Sequence, residues 1–325
     1  MKRFAAIFVI LLLAGAAGTA ESPPRQEPQV PVFRSGASLV SLSVTVTGPD
    51  KHFVTGLQAS DFSVFEDGVQ QVVQFFESES VPIDLIILLD ASSSMRHRME
   101  MVLDAALGFV DTLRERDRAA VVGFNDAVSV VQPLTADRAL LERAIRGTAA
   151  KGSTALHNAL YVALKEFGRN ARVSGSIRRQ ALAVLSDGDD TSSLISFEDV
   201  LELAQKSGVT IYPIALTSDT DPRSPSGARY FSESQYAMRK LAQETGAQAF
   251  FPSNVRELPE IYAIIAEELS HQYSIGYAPR DARVDGRFRR VVVRVTTRPD
   301  LRPRTRMGYI AGAPAATVES PGAVR

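Results

Sequence analysis

The chain has 325 residues, 45% of them hydrophobic, which is enough for one sizeable core with a smaller module beside it and excludes wholesale disorder. Its 36 Lys and Arg against 37 Asp and Glu leave a formal charge of -1, which gives no global attraction to nucleic acid. The absence of cysteine removes disulfides, thiol nucleophiles and thiolate metal sites together, and with 4 histidines in all, oxygen ligation of a hard cation is a better prospect than zinc.

Residues 1–20, MKRFAAIFVILLLAGAAGTA, join a basic start at Lys2 and Arg3 to an apolar run from Phe4 to Leu13 and small residues at Gly18 and Ala20. This is the pattern of a secretory signal peptide cleaved after Ala20, since the run is shorter than the ~20 residues that a membrane span requires. The protein is therefore expected to be exported, secreted or periplasmic, with no transmembrane span after signal cleavage. Residues 21–34 carry Pro23, Pro24, Pro28 and Pro31 and read as an extended linker.

From Val40 to Thr47 strict alternation places Val40, Leu42, Val44 and Val46 on one face of a strand. Gly48-Pro49-Asp50 then turns the chain, and Asp67-Gly68, inside Asp61 to Phe76, is the dipeptide of a two-residue hairpin turn. Residues 35–80 thus predict an all-β module, too small to stand alone.

From Ile83 onward apolar strands alternate with amphipathic helices. The strands are expected at Ile83 to Leu89, Ala119 to Phe124, Val128 to Gln132, Ala181 to Leu185, Thr210 to Leu216 and Gln248 to Phe251. Helices are expected around Met99 to Leu113, Arg138 to Arg146, Leu156 to Phe167, Phe197 to Lys206, Ser234 to Thr245 and Leu258 to His271. Strands apolar on both faces, separated by helices, predict an α/β fold with a Rossmann-like, doubly wound, mostly parallel sheet, whose ligands bind beyond the carboxyl ends of the strands.

Residues 273–310 return to strands, and the tail at 311–325 is small and contains proline. In Arg290 to Arg298 the residues Arg290, Arg294 and Arg298 share one strand face and Val291, Val293 and Val295 the other. From Arg280 to Arg306 ten arginines stand against three aspartates, a local +7 that leaves -8 for the rest of the chain. A solvated strand face accounts for this, with docking of an anionic polymer as the sharper alternative. The strands at 35–80 and 273–310 are expected to join into one sandwich flanking the α/β domain.

Leu85 to Met95, LIILLDASSSM, runs a buried strand into Asp90 and then into Ser92 and Ser94. By themselves the hydroxyls could be N-caps of the next helix. Two further segments lie at the same predicted sheet edge: Lys151-Gly-Ser-Thr154, opening a helix, and Leu185-Ser-Asp187-Gly-Asp-Asp190, closing a strand.

Together these residues resemble the von Willebrand factor type A family, which includes the integrin I domains, over about residues 82–272. That family builds a metal-ion-dependent adhesion site from D-x-S-x-S on one loop, a threonine on a second and an aspartate on a third. The resemblance implies that Asp90, Ser92, Ser94, Thr154 and Asp187 are metal ligands. It also implies that the last helix, Leu258 to His271, is the one that shifts on ligand binding. Ser93 stands where many members have glycine, a departure that bears on loop geometry rather than on ligand identity. The flanks GLQASDFSVFEDGVQQVVQFF and QYSIGYAPRDARVDGRFRRVVVRV look like those of a bacterial exported subfamily.

The chemistry suits Mg²⁺, with Mn²⁺ or Ca²⁺ as alternatives, because a small hard ion accepts one or two carboxylates with hydroxyls and waters. Neutral hydroxyl ligands leave the ion electrophilic towards a carboxylate supplied by a partner. Asp189 and Asp190 could stand behind the ligands or act in a turn, Asp126 reads as a turn residue, and His97 and His157 as helix-surface residues.

Catalytic patterns are missing: the second acid of the phosphatase motif D-x-D is replaced by Ser92, and no G-x-S-x-G, H-E-x-x-H or P-loop occurs. A hydrolase using Ser94 is the residual enzymatic alternative. The expectation is a non-enzymatic, exported protein-binding module that captures an acidic group of a partner protein through a divalent cation. The alternative is a cell-envelope scaffold or assembly factor binding through its β module or arginine face.

Overall fold

The computed structural model describes residues 39–78, 81–174, 178–187, 190–216 and 233–312. The expected signal peptide, the linker, residues 35–38, Asp189 and the tail from residue 313 lie outside the described residues. In chain order the strands are β1 (Val40–Thr47), β2 (Phe62–Glu66), β3 (Val69–Gln71), β4 (Val73–Ser78), β5 (Ile83–Asp90), β6 (Arg118–Phe124), β7 (Val128–Thr135), β8 (Arg179–Ser186), β9 (Thr210–Ala215), β10 (Tyr273–Tyr277), β11 (Phe288–Val295), β12 (Arg302–Arg304) and β13 (Gly308–Ile310). The helices are α1 (Met99–Asp111), α2 (Arg138–Arg146), α3 (Leu156–Ser174), α4 (Phe197–Ser207), α5 (Glu233–Thr245) and α6 (Leu258–Ser270).

The central sheet has the order β7-β6-β5-β8-β9, with β5 in the middle, parallel to β6 and β8, and only the edge strand β7 antiparallel. All eight residues of β5 are buried because helices cover both faces of the sheet. Leu85, Ile87 and Leu89 pack with α1, α2 and α6, while Ile86 and Leu88 pack with α3, α4 and α5. A strand sequence without polar alternation is what such double cover selects. No helix among the described residues is long and apolar enough to cross a membrane.

The strands from the two ends of the chain interleave in two further sheets, β12-β1-β10-β4 and β13-β11-β2-β3. Val40, Leu42, Val44 and Val46 pack with Tyr273, Ile275 and Tyr277, and with Val291, Val293 and Val295 of β11. Arg290 and Arg294 face outward, as the alternation in β11 requires. Between β2 and β3 the turn residues Asp67 and Gly68 have φ of 47° and 83°, the positive pair of the turn type that fits a twisted hairpin.

The strand expected at Gln248 to Phe251 is reduced to one parallel bridge, Ile214 to Phe250. Phe250 donates to Pro213 O and accepts from Ala215 N, each at 2.9 Å. Continuing that ladder in either direction would use the N–H of Pro213 or of Pro252, and proline has none.

A buried polar hub ties these layers together. The Glu268 carboxylate, 1% exposed at the end of α6, accepts from Thr45 Oγ1 of β1 at 3.1 Å, Tyr212 OH of β9 at 2.9 Å and Arg304 of β12 at 2.6 Å.

Candidate metal centre

Strand β5 delivers Asp90 to the carboxyl edge of the sheet with no exposed surface, and Ser92 follows it at 1% exposure. Asp90 Oδ1 accepts from Ser92 N at 2.8 Å and Oδ2 from Ser186 Oγ at 2.6 Å. Burial pushes the Asp90 carboxyl above the ordinary carboxylate pKa, and the nearby charge of Asp187 pushes the same way, against the hydrogen bonds from Ser186 and Ser92.

From Ser92 the hydroxyls run sideways. Ser92 Oγ lies 2.9 Å from Ser94 Oγ, and Ser94 Oγ donates to Asp187 Oδ1 at 2.8 Å. Since Ser94 has one proton and gives it to Asp187, Ser92 is the donor in the first bond. The segment Ser93–His97 is a 3₁₀ helix, and Ser92, at its N-cap position, makes no side-chain cap; nor does a side chain cap α1, whose N-cap position is Arg98. The capping alternative is thus displaced: the short helix leaves the hydroxyls free to turn towards the acid on the neighbouring loop.

The second loop is fastened to the first by main-chain bonds, Lys151 N to Ala91 O at 2.7 Å and Ser93 N to Gly152 O at 3.0 Å. Gly152 adopts φ of 76°, and a Cβ there would stand 2.2 Å from Asp126 Oδ1. Gly152→Ala is therefore expected to cost about 1–2 kcal/mol, mainly from the left-handed backbone because the exposed Asp126 side chain can swing away. A urea titration with a lower midpoint at unchanged slope checks this; a midpoint equal to wild type would show that the loop tolerates a right-handed alternative.

Thr154, 6% exposed, is held through its main chain: its N–H donates to Thr191 Oγ1 at 3.1 Å, and its carbonyl accepts from Thr191 N at 2.9 Å and Ser192 N at 3.1 Å. The first, second and third loops are in this way joined pairwise. Asp190 has the turn role: Oδ1 accepts from Ser192 N and Ser193 N at 3.2 and 2.9 Å, and Oδ2 takes His157 N and Nδ1, both at 3.0 Å. Burial works to raise the Asp190 pKa, but hydrogen bonds from Ser193 and His157 hold it below the ordinary value. His157 therefore faces the third loop rather than solvent alone, while His97 is exposed.

Two residues escaped the sequence reading. Ser186 Oγ donates a hydrogen bond to Asp90 Oδ2 at 2.6 Å, and Arg98 binds Asp187 Oδ2 at 3.2 Å. Ser186 was findable as the last residue of a buried strand beside Asp187; Arg98 carries no pattern that separates it from any other basic residue after a turn. Among the described residues no cluster of three or more His, Asp or Glu could hold a metal; the centre comprises two carboxylates with hydroxyls, a donor set that a hard cation accepts. An apolar groove of about 560 Å³ lies between α1 and α6, lined by Met101, Phe109, Val255 and Tyr262, and shares no residue with the three loops.

An uncharacterized protein of Borreliella burgdorferi is 25% identical over 210 residues, covering 60% of this chain and 58% of its own, so this chain spans less than two thirds of that relative. Among solved structures, a von Willebrand factor type A protein from Catenulispora acidiphila matches with TM-score 0.46 and 18% identity over 72% of this chain and 51% of its own. Proximal thread matrix protein 1 from the mussel byssus, described with a zinc-occupied MIDAS motif, matches with TM-score 0.45 and 20% identity over 61% of this chain and 48% of its own. The family model described as von Willebrand factor type A domain matches residues 84–264, more than half of the chain, and the chain therefore belongs to that family.

Proposed function

We propose that the protein is an exported, non-enzymatic binding module that takes an acidic group of a partner protein through a divalent cation. Membership of the family implies an interaction or adhesion-type role in general. The finer reading assigns Asp90, Ser92, Ser94, Thr154 and Asp187 as the residues that hold the ion, Mg²⁺ first and Mn²⁺ or Ca²⁺ as alternatives. Residues 82–272 would form the binding domain, carried on the β module of 35–80 and 273–310, and the signal at 1–20 would export it.

The single observation that supports this most is the unbroken line from Ser92 through Ser94 to Asp187, starting beside a fully buried Asp90. Helix capping does not need those hydroxyls, and a purely structural loop has no need to bring two acids together at a sheet edge, where their charges oppose each other. When bound, the ion supplies a positive, incompletely coordinated centre that a partner's carboxylate can complete. The chain's own part is to fix two acids, hold three hydroxyls as neutral oxygen donors, and keep Asp90 away from water.

A pull-down from cell-envelope extract tests the reading. Wild type is expected to retain partners in Mg²⁺ and lose them in chelator, and Asp90→Ala to lose them in both. Partners that survive both chelator and Asp90→Ala would instead favour a scaffold that binds through the outward arginines of β11, where Arg294 lies over the Phe65 ring at 5.2 Å.

A further inference from the structure

We propose that Arg98 is an internal competitor for the cation: its guanidinium and a divalent ion are alternative partners of Asp187, so that the ion binds by displacing Arg98. The inference rests on the metal-centre reading above and adds a residue that the ligand motif does not contain.

Every oxygen of the two acids already has a protein donor. Asp90 is satisfied by Ser92 N and Ser186 Oγ, and Asp187 by Ser94 Oγ and Arg98. Three of these donors are neutral, and Arg98 is, among the described residues, the partner in the only ion pair that either acid makes. The Asp187 side chain is 5% exposed and the Arg98 side chain 34%, so the acid is fixed while the base can leave for water. A guanidinium 3.2 Å from Oδ2 offsets part of the repulsion between two acids in the metal-free protein. With a divalent ion on the same carboxylate, that guanidinium becomes a like charge a few ångströms away, and the two cations repel. Metal affinity is then lower than the ligand set alone would give. A partner whose acid draws Arg98 outward would bind cooperatively with the ion.

The test is calorimetric titration of Mn²⁺ into the full chain for wild type, Arg98→Gln and Arg98→Lys, with melting in chelator alongside. Arg98→Gln keeps a hydrogen-bond donor and removes the charge. Its Kd for Mn²⁺ is expected to fall roughly tenfold, the effect of one relieved charge contact, while its melting temperature in chelator drops by a few degrees. Arg98→Lys should stay near wild type in both.

If wild type binds Mn²⁺ and Arg98→Gln binds it equally or more weakly, the competitor role fails and the metal centre stands. Equal tightening in Arg98→Lys overturns the role too, because charge would not be the cause. Binding by Arg98→Gln alone supports the proposal in its strongest form. If none of the three proteins takes up Mn²⁺, the metal-centre reading itself falls.

Discussion

Glu268→Ala is expected to destabilise the protein by about 3 kcal/mol and to lower the melting temperature by roughly 6–12 °C. The carboxylate carries three long-range bonds from three elements: Oε1 accepts from Thr45 and Tyr212, and Oε2 from Arg304. Tyr212 is itself fully buried; burial, with the Glu268 charge added, holds its hydroxyl far above the ordinary phenol pKa, so it remains a proton donor. Because Gln272 Nε2 already donates to Tyr212 OH at 3.0 Å, the hydroxyl proton has Glu268 as its acceptor. Truncation leaves that proton and the Thr45 hydroxyl without the acceptor they now use, opens a void, and strips the ion pair from Arg304. The loss falls at the lower end for a broken buried pair because Arg304 is 33% exposed and can turn to water. Glu268→Gln keeps the oxygen that Thr45 and Tyr212 use and is expected to lose about half as much. Thermal and urea unfolding measure both, and a Glu268→Ala protein melting within 2 °C of wild type would show that the hub does not hold α6 to the strands around it.

That hub marks the boundary of what the sequence could reveal. The five-stranded sheet was legible because double cover leaves an uninterrupted apolar run in Leu85 to Leu89. The β-module turn was legible because Asp67-Gly68 suits two consecutive positive φ angles. Both signals are local. Thr45 and Glu268 lie 223 positions apart, and nothing in either neighbourhood says that one will need the other. The bridge at Phe250 failed as a strand for a reason that was local but double: Pro213 and Pro252 each remove one N–H, and the effect appears only when the register between them is known. In the candidate centre, Asp90, Ser92, Ser94, Thr154 and Asp187 were named by matching them to the motif of the family the chain resembles, and the structure joins the first three and Asp187 by hydrogen bonds. Thr154 reaches them through its loop, by way of Lys151 and Gly152. Arg98 was invisible because an ion pair 89 positions apart is a product of the fold rather than of a motif.

The second large effect concerns the acids themselves, and its sign reverses with the cation. In chelator at neutral pH, Asp90→Asn is expected to be at least as stable as wild type, because it removes an acid whose charged form burial disfavours and keeps an oxygen for Ser92 N, while the Ser186 hydroxyl turns to accept from the new amide. A folded-state pKa raised above the unfolded value of 3.8 means that wild type loses stability as pH rises through the raised value and regains it as pH falls back towards 3.8. Asparagine has no such dependence. In Mg²⁺ or Mn²⁺ at about one hundred times Kd, wild type should gain about 2.7 kcal/mol, whereas Asp90→Asn should gain almost nothing. The two melting curves therefore cross: the variant is the more stable protein without cation and the less stable one with it. A structural aspartate gives no crossing, since its replacement costs the same in either buffer. Wild type that melts identically in chelator and in millimolar Mn²⁺ would remove the reason for keeping two acids side by side at this edge. The crossing, where found, shows that Asp90 is retained at a cost to the metal-free fold because the cation needs its charge.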